Sequence, residues 1–233
     1  MNKTNLGKSI KWFPVFLLLF LISIVGYCQK SELGFNLGAL SYTGDLHRNY
    51  RFLQNRPAGS VFYRVNFNNT LSLKTGMMLG KLVGNDDNPV DVLGTNRKAT
   101  FSVFIMEAAA TFEYHFLEWR SAKSNLRWSP YLFFGAGLFN VSGQTDKTEQ
   151  YSNVQPVLPF GLGFKYIVNP KWYIGIDFGS RKTFFDYLDN ISAGNISNKN
   201  YQYGFTEDND MYHFIGFSLN YSFYDIPCPF PYK

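Results

Sequence analysis

Cysteine is nearly absent from this sequence, which has two among its 233 residues, Cys28 and Cys228. Cys28 falls in an N-terminal segment that we expect to be removed, so the mature chain keeps a single cysteine. One cysteine allows neither a disulfide within the chain nor a cysteine cluster for a metal. We therefore expect a fold that is stabilised without disulfide bonds and without a cysteine-bound metal.

The mature chain also lacks any apolar run near the roughly 20 residues that a membrane helix needs. The one long apolar run of the whole chain, residues 13–25, follows three lysines and precedes small residues at positions 26 and 28. This arrangement is typical of a secretory signal peptide, which is removed during export. We predict cleavage between Cys28 and Gln29, so that residues 1–28 are the signal peptide.

A large excess of charge of one sign is missing as well. The full chain has 22 Lys and Arg against 17 Asp and Glu, a net charge of +5. Three of these basic residues and none of the acidic ones lie in the signal peptide, which leaves 19 against 17, or +2. This balance disfavours nucleic acid as a partner. The mature length of about 205 residues fits one domain.

Aromatic residues, in contrast, are abundant: they make up 19% of the chain, with 24 Phe and 16 Tyr. They recur with a period of two, as in residues 164–178, FKYIVNPKWYIGIDF. Large apolar side chains share one face there, and glycine and charge share the other, on both sides of a turn at 169–171. In the segment around Phe133 and Phe134, adjacent aromatics leave the apolar face undecided. This periodicity predicts eight strands, at 32–43, 58–68, 71–83, 100–116, 130–142, 157–168, 171–181 and 211–223.

The connections between these strands alternate in length. The links after odd-numbered strands are long, at 44–57, 84–99, 143–156 and 182–210. Two of the links after even-numbered strands are short turns, at 68–70 and 169–171, and the third, around 117–129, is longer. An even number of strands with short turns on one side and long loops on the other is typical of bacterial outer-membrane barrels.

We therefore predict an all-β fold, an eight-stranded antiparallel up-and-down transmembrane β-barrel over residues 29–224 in the bacterial cell outer membrane. Its apolar face would contact outer-membrane lipids, because hydrocarbon tolerates apolar side chains and excludes charge. The barrel must close, since lipid cannot satisfy an open sheet edge. A soluble lipocalin-like barrel would instead point its apolar face inward. Both chain ends, including a C-terminal tail at 225–233, would lie in the periplasm.

A barrel of eight strands is filled by its own side chains, which excludes a wide pore. We expect the inward charges to form an internal salt-bridge lattice; they are Arg64, Lys74, Glu107, Glu113, Lys165, Asp177 and Arg181. We predict no catalytic, cofactor-binding or metal-binding residue. A lipid-modifying enzyme would need a base, a nucleophile and an acid, for which His47 and His213, with Ser41, Asp45 and Asp210, are the candidates near the external rim. A surface-binding, adhesin-like barrel is a further alternative.

Aromatic and basic residues mark the periplasmic side. Trp119, Arg120, Lys123, Arg127 and Trp128 fall in the longer turn, and Pro227, Phe230 and Tyr232 fall in the tail. Aromatic side chains together with arginine are typical of protein interfaces, while tryptophan is also typical of the membrane boundary. We predict that these eight residues contact a periplasmic partner.

Three stretches carry a family resemblance: ELG at 32–34 with SYTGDL at 41–46, PFGLGFKY at 159–166, and RKTFFDYLDNIS at 181–192. In order and spacing they resemble the outer-membrane barrel component of the type IX secretion system (the PorG type) of Bacteroidetes. The resemblance implies a non-enzymatic protein that ties the periplasmic ring, formed by a lipoprotein and its partner, to the outer membrane. It also implies a role in protein secretion and, in some members of the phylum, in gliding motility.

Overall fold

A computed structural model of the chain describes residues 30–44, 55–85, 100–121, 124–143, 152–184, 188 and 210–224. They contain eight strands: β1 (Lys30–Thr43), β2 (Arg56–Asn66), β3 (Leu71–Asn85), β4 (Thr100–His115), β5 (Trp128–Ser142), β6 (Val154–Ile167), β7 (Trp172–Thr183) and β8 (Met211–Ser222). Each lies where the periodicity predicts it, with bounds that differ by three residues at most. The predicted signal peptide and C-terminal tail lie outside the described residues.

Every strand pairs antiparallel with its neighbour in sequence, and β8 returns to pair with β1, so the sheet is a closed barrel. Closure gives both edges of each strand a hydrogen-bonded partner, as hydrocarbon requires. The predicted up-and-down barrel of eight strands is thereby confirmed. None of the described residues belongs to a helix with the length and hydropathy of a membrane span.

The large apolar side chains point away from the barrel axis. On β7, Ile174 and Ile176 are exposed while Tyr173 and Asp177 are buried. On β5 the ambiguity is resolved: Phe134 is 61% exposed on the outer face, and Phe133 points into the lumen. The polarity is therefore the reverse of a soluble barrel, and the outer surface suits a hydrocarbon surround.

Inward glycines make room for aromatic rings in the lumen. A Cβ added at Gly163 would overlap the ring of Tyr131, which stands opposite it in the ladder between β5 and β6. A Cβ at Gly34 would likewise overlap the ring of Phe62 on β2. Glycine is needed at these positions because the ring lies flat on the backbone of the neighbouring strand.

The external half of the lumen, toward the long connections, is apolar. One buried cluster fills it, formed by Leu40, Tyr42, Ala58, Met78, Leu82, Phe101, Val103, Ile105, Phe139, Val141, Val157, Leu188, Tyr212 and Phe214. Leu188 comes from the connection between β7 and β8 and is fully buried. Its backbone N–H donates to Asp210 Oδ2 at 2.9 Å, and Tyr42 Oη donates to Asp210 Oδ1 at 2.6 Å. The cluster and this anchored residue occupy the external end of the lumen.

The two short turns at the periplasmic end have the same construction. Asn68 Oδ1 accepts hydrogen bonds from the backbone N–H of Thr70 at 2.9 Å and of Leu71 at 2.6 Å. Asn169 Oδ1 accepts from Lys171 N at 3.0 Å and from Trp172 N at 2.8 Å. An asparagine side chain that satisfies backbone donors two and three residues ahead is a common device of tight turns. These turns confirm the predicted short connections.

Candidate functional site

The periplasmic half of the lumen is built around one buried arginine, Arg64 of β2. Its Nη1 lies 3.0 Å from Glu32 Oε2 on β1, directly opposite in the strand ladder. Its Nη2 donates to Glu113 Oε1 at 3.0 Å, and its Nε lies 2.9 Å from Glu113 Oε2 on β4. The three side chains have no exposed surface, so the guanidinium joins β1, β2 and β4 inside the barrel.

Further donors saturate both carboxylates. Lys165 Nζ donates to Glu113 Oε2 at 2.6 Å. Asn66 Nδ2 and Tyr224 Oη donate to Glu32 Oε1 at 2.6 and 2.9 Å, and Tyr173 Oη donates to Glu32 Oε2. Buried ion pairs are tolerated when their remaining lone pairs are satisfied in this way. The predicted salt-bridge lattice is therefore confirmed in this half of the lumen.

Two more ion pairs lie farther toward the external end. Lys74 Nζ is 3.1 Å from Asp177 Oδ2, which also accepts from Asn36 Nδ2 at 2.9 Å, and Arg181 Nε is 3.4 Å from Glu107 Oε2. A cavity of about 50 Å³ beside these four charges has room for only a few water molecules. All seven predicted inward charges thus take part in ion pairs, and the lattice fills the lumen at this level.

The longer periplasmic turn folds inward under the barrel. Trp119 and Arg120 are both buried, and the Trp119 ring contacts Tyr173 edge-on with centroids 5.3 Å apart. Arg120 Nη2 donates to Ser72 Oγ at 3.0 Å, and its Cζ lies 5.0 Å from the centroid of the Trp119 ring. Together with Tyr224, which packs against the same cluster, these side chains cover the periplasmic end of the lumen.

The residues predicted to contact a partner differ in how much of their surface is exposed. Trp119 and Arg120 offer almost no surface to the periplasm, because they fill the lumen end, so a direct contact would require the turn to move. Arg127 is partly exposed, and its carbonyl oxygen accepts from Ile167 N at 2.8 Å. Trp128 is 41% exposed and stacks on Phe164 on the lipid-facing side. Its place is the aromatic boundary of the membrane.

The remaining predicted contacts fall outside the described residues: Lys123, Pro227, Phe230 and Tyr232. Among the described members, Arg127 and Trp128 are therefore the two with exposed surface, and that of Trp128 lies on the lipid-facing side. Sequence reasoning missed the inward position of Trp119 and Arg120, since the turn has no period from which a direction follows. It also missed Tyr173, although its alternation with Trp172 and Ile174 places it on the lumen face.

The candidate catalytic residues separate onto two sides of the barrel wall. The Asp210 carboxylate accepts a hydrogen bond from Tyr42 inside the lumen, whereas His213 lies on the outer face near the external end. His213 Nδ1 is 2.8 Å from Ser180 Oγ, and Nε2 is 2.7 Å from Thr43 Oγ1. Ser41, which the sequence suggested as a nucleophile, pairs with His213 across the strand ladder, but no hydrogen bond joins their side chains. His47 and Asp45 lie outside the described residues.

A closed barrel with an apolar exterior, buried ion pairs in its lumen and short turns at one end defines the class: this is a small outer-membrane β-barrel protein of a bacterium, in contact with membrane lipid. The chain belongs to the family described as "Domain of unknown function (DUF6089)", whose sequence profile matches residues 11–232.

One solved structure shares the fold, and two others are similar to the chain at lower scores. Neisserial surface protein A is 12% identical, with a TM-score of 0.53 over 83% of this chain and 97% of that chain. Ail, the attachment invasion locus protein of Yersinia pestis, is 13% identical, with a TM-score of 0.47 over 84% and 99%. The N-terminal barrel domain of Pseudomonas aeruginosa OprF is 13% identical, with a TM-score of 0.43 over 84% and 99%. No curated protein sequence matches the chain significantly.

Proposed function

We propose that this barrel is a non-enzymatic anchor that holds the periplasmic ring of a type IX protein secretion system at the outer membrane. The observation that carries the proposal is the filled lumen. Ion pairs occupy its middle, an apolar cluster occupies its external half, and Trp119 with Arg120 covers its periplasmic end. A barrel without a passage acts through its surfaces, and an anchor needs only a rigid wall in lipid and a periplasmic contact.

The resemblance of three stretches to the barrel component of that system supports the identity of the partner. Part of the third stretch has a structural role in this chain: Thr183 Oγ1 donates to the Asp210 carbonyl at 2.6 Å, and Leu188 fills the external end. These contacts pack the external end of the barrel and do not themselves select a partner. The choice of partner therefore falls to the periplasmic residues, with the ring lipoprotein and its own partner as the proteins contacted, in support of export and gliding motility.

Co-purification from the native outer membrane tests this proposal. The tagged full-length protein is extracted in mild detergent, and the ring lipoprotein is identified by mass spectrometry. We expect recovery with the wild-type chain, and at least tenfold less with Arg127→Glu or with residues 225–233 deleted. Trp172→Ala is the matched control, since Trp172 is an exposed girdle residue at the same end that packs on Tyr221. Absence of the ring lipoprotein from a well-folded wild-type sample would contradict the proposal.

A second candidate, modification of a lipid ester, has one observation in its favour. His213 lies between two hydroxyl groups on the outer face, near the level of the external lipid head groups, and a histidine beside a serine is the usual pair for activating a nucleophile. Lipid A and phospholipids from cells with His213→Ala or Ser180→Ala would lose a modified species under this hypothesis. Identical lipid mass spectra in wild type and both variants would remove it.

A further inference from the structure

The charges in the periplasmic half of the lumen do not balance. Two carboxylates, Glu32 and Glu113, face three cations, Arg64, Lys165 and Arg120, so the described cluster carries one surplus positive charge. The first two cations are paired, since Arg64 contacts both carboxylates and Lys165 contacts Glu113. Arg120 is the cation left over: none of the described carboxylates lies within ion-pair distance of it.

Arg120 is also incompletely hydrogen-bonded. It is 2% exposed, and of its guanidinium nitrogens only Nη2 has a partner, Ser72 Oγ at 3.0 Å. Its Nε and Nη1 are buried without an acceptor in the described part of the chain. Glu32 attracts the Arg120 guanidinium from beyond ion-pair distance. A guanidinium removed from water without a directly paired anion is still unfavourable, and such a group is normally compensated by an anion or by ordered water.

Two more buried polar groups lie close to it. In the described part of the chain, Trp119 Nε1 and His115 Nδ1 have no partner, and the two rings lie 5.7 Å apart. His115 Nε2 is 3.3 Å from Lys165 Nζ and 3.6 Å from Glu113 Oε2, so the tautomer decides whether Nδ1 donates or accepts. Trp119 Nε1 and the two Arg120 nitrogens can only donate, and such donors fit an acceptor and not a metal ion.

We propose that these donors bind one carboxylate at the periplasmic end of the lumen. A carboxylate supplies two acceptor oxygens that can take hydrogen bonds from the free N–H groups of Arg120, and its charge cancels the surplus of the cluster. Two sources have this chemistry: Asp225, which follows Tyr224 in the chain, and an acidic side chain of a periplasmic protein. The second source reaches the site only when the turn between β4 and β5 moves, because Arg120 is 2% exposed. The second source rests on the proposed anchoring function, whereas the carboxylate site itself does not.

Acetate binding to the purified mature chain in detergent micelles tests the site. Trp128→Phe and Trp172→Phe leave Trp119 as the one tryptophan after residue 28, so its emission reports on the site. Sodium acetate is titrated in place of sodium fluoride, so that the ionic strength stays constant. We expect a saturable change in emission, with affinity at least tenfold weaker in Arg120→Met. Arg127→Met, on the same turn but outside the cluster, is the control and should bind acetate as the parent does.

The Asp225→Asn variant distinguishes the two sources. If Asp225 fills the site, the parent chain gives no response and Asp225→Asn restores saturable binding. If a partner supplies the carboxylate, both chains bind acetate equally, and excess acetate lowers recovery of the ring lipoprotein. If both chains bind acetate but recovery of the ring lipoprotein is unchanged, the carboxylate site is confirmed and the partner protein is excluded as the source of its ligand. No response in either chain, or an equal response in Arg120→Met, overturns the proposal and leaves water as the acceptor.

Discussion

Arg64 and Glu113 lie on strands that are not neighbours, with β3 between them, yet two contacts of 3.0 and 2.9 Å join their side chains. The backbone ladder cannot make this connection, because each strand pairs only with the next. A lumen-spanning ion pair therefore adds a link between strands that the hydrogen-bonded wall leaves independent. Burial of these charges is tolerated because every carboxylate oxygen of Glu32 and Glu113 accepts a hydrogen bond.

Removal of one member of this pair should be strongly destabilising. Arg64→Met leaves Glu32 and Glu113 buried without their shared cation, and breaking a buried pair in this way costs about 3–5 kcal/mol. We expect a loss of that size in the free energy of unfolding, measured by urea titration of the barrel in lipid vesicles. Lys171→Met, an exposed charge in a periplasmic turn, should change it by less than about 0.5 kcal/mol. Equal effects of the two substitutions would contradict the role given to the lattice.

The outward apolar face predicts a dependence on depth in the membrane. Phe217 is 69% exposed near the middle of β8, and Phe223 is 59% exposed just beyond its periplasmic end. Arginine costs about 2–4 kcal/mol at the bilayer midplane and about 0–1 kcal/mol near the interface. The loss of folding stability in vesicles should therefore be several-fold larger for Phe217→Arg than for Phe223→Arg. Similar small losses at both positions would be expected of a water-exposed wall.

Close packing of rings on glycine gives a third expectation. Gly163→Ala introduces a methyl group where the Tyr131 ring lies, and overpacking of this kind costs about 1–3 kcal/mol. Gly59→Ala is the matched control, because its Cβ would meet Asn36 O at 3.6 Å, an ordinary contact. Thermal unfolding of the two variants in the same detergent should show a lower midpoint for the first alone. A midpoint at Gly163→Ala equal to that of wild type would mean that the ring moves freely.

The strands and their facing could be predicted because a period of two is a local property of the sequence. On β8, for instance, the direction of each side chain follows from the alternation: His213, Ile215 and Phe217 share the outer face. This alternation alone predicts that His213 points away from the lumen. Its hydrogen bonds to Ser180 and Thr43 could not be predicted. They depend on the relative shift of β1, β7 and β8, which the alternation of one strand does not contain.

The turn between β4 and β5 shows the other limit. Leu117, Glu118, Trp119 and Arg120 follow one another without a period, so their directions depend on the space left at the end of the lumen. At this level β3 presents Ser72, which accepts a hydrogen bond from Arg120, and β7 presents Tyr173, which the Trp119 ring contacts. The composition of the turn predicted a surface for a partner, whereas in the structure Trp119 and Arg120 are buried at the periplasmic end of the lumen.

Tyr224, just beyond β8, links the chain end to the lattice and gives a prediction for alkaline conditions. Its Oη donates to Glu32 Oε1 at 2.9 Å and accepts from Asn66 Nδ2 at 3.0 Å. Burial, with the nearby Glu32 carboxylate as a further cause, raises the pKa of Tyr224 above its usual value. Because the folded pKa exceeds that of the unfolded chain, the folded state retains this proton more tightly, and stability falls as pH rises above about 10.

Replacement of this hydroxyl should remove part of that slope. We expect Tyr224→Phe to lose about 1 kcal/mol of stability at pH 8, the value of one hydrogen bond, and to lose less than wild type between pH 10 and pH 12. One proton changes the slope by about 1.4 kcal/mol per pH unit. Phe223→Leu, at an exposed side chain just beyond β8 that has no ionisable group, is the control and should keep the wild-type slope. Urea unfolding in vesicles at each pH measures the difference. Equal alkaline slopes in wild type and Tyr224→Phe would mean that this hydroxyl does not hold its proton through the lattice, and that the chain end is free to leave Glu32 without cost.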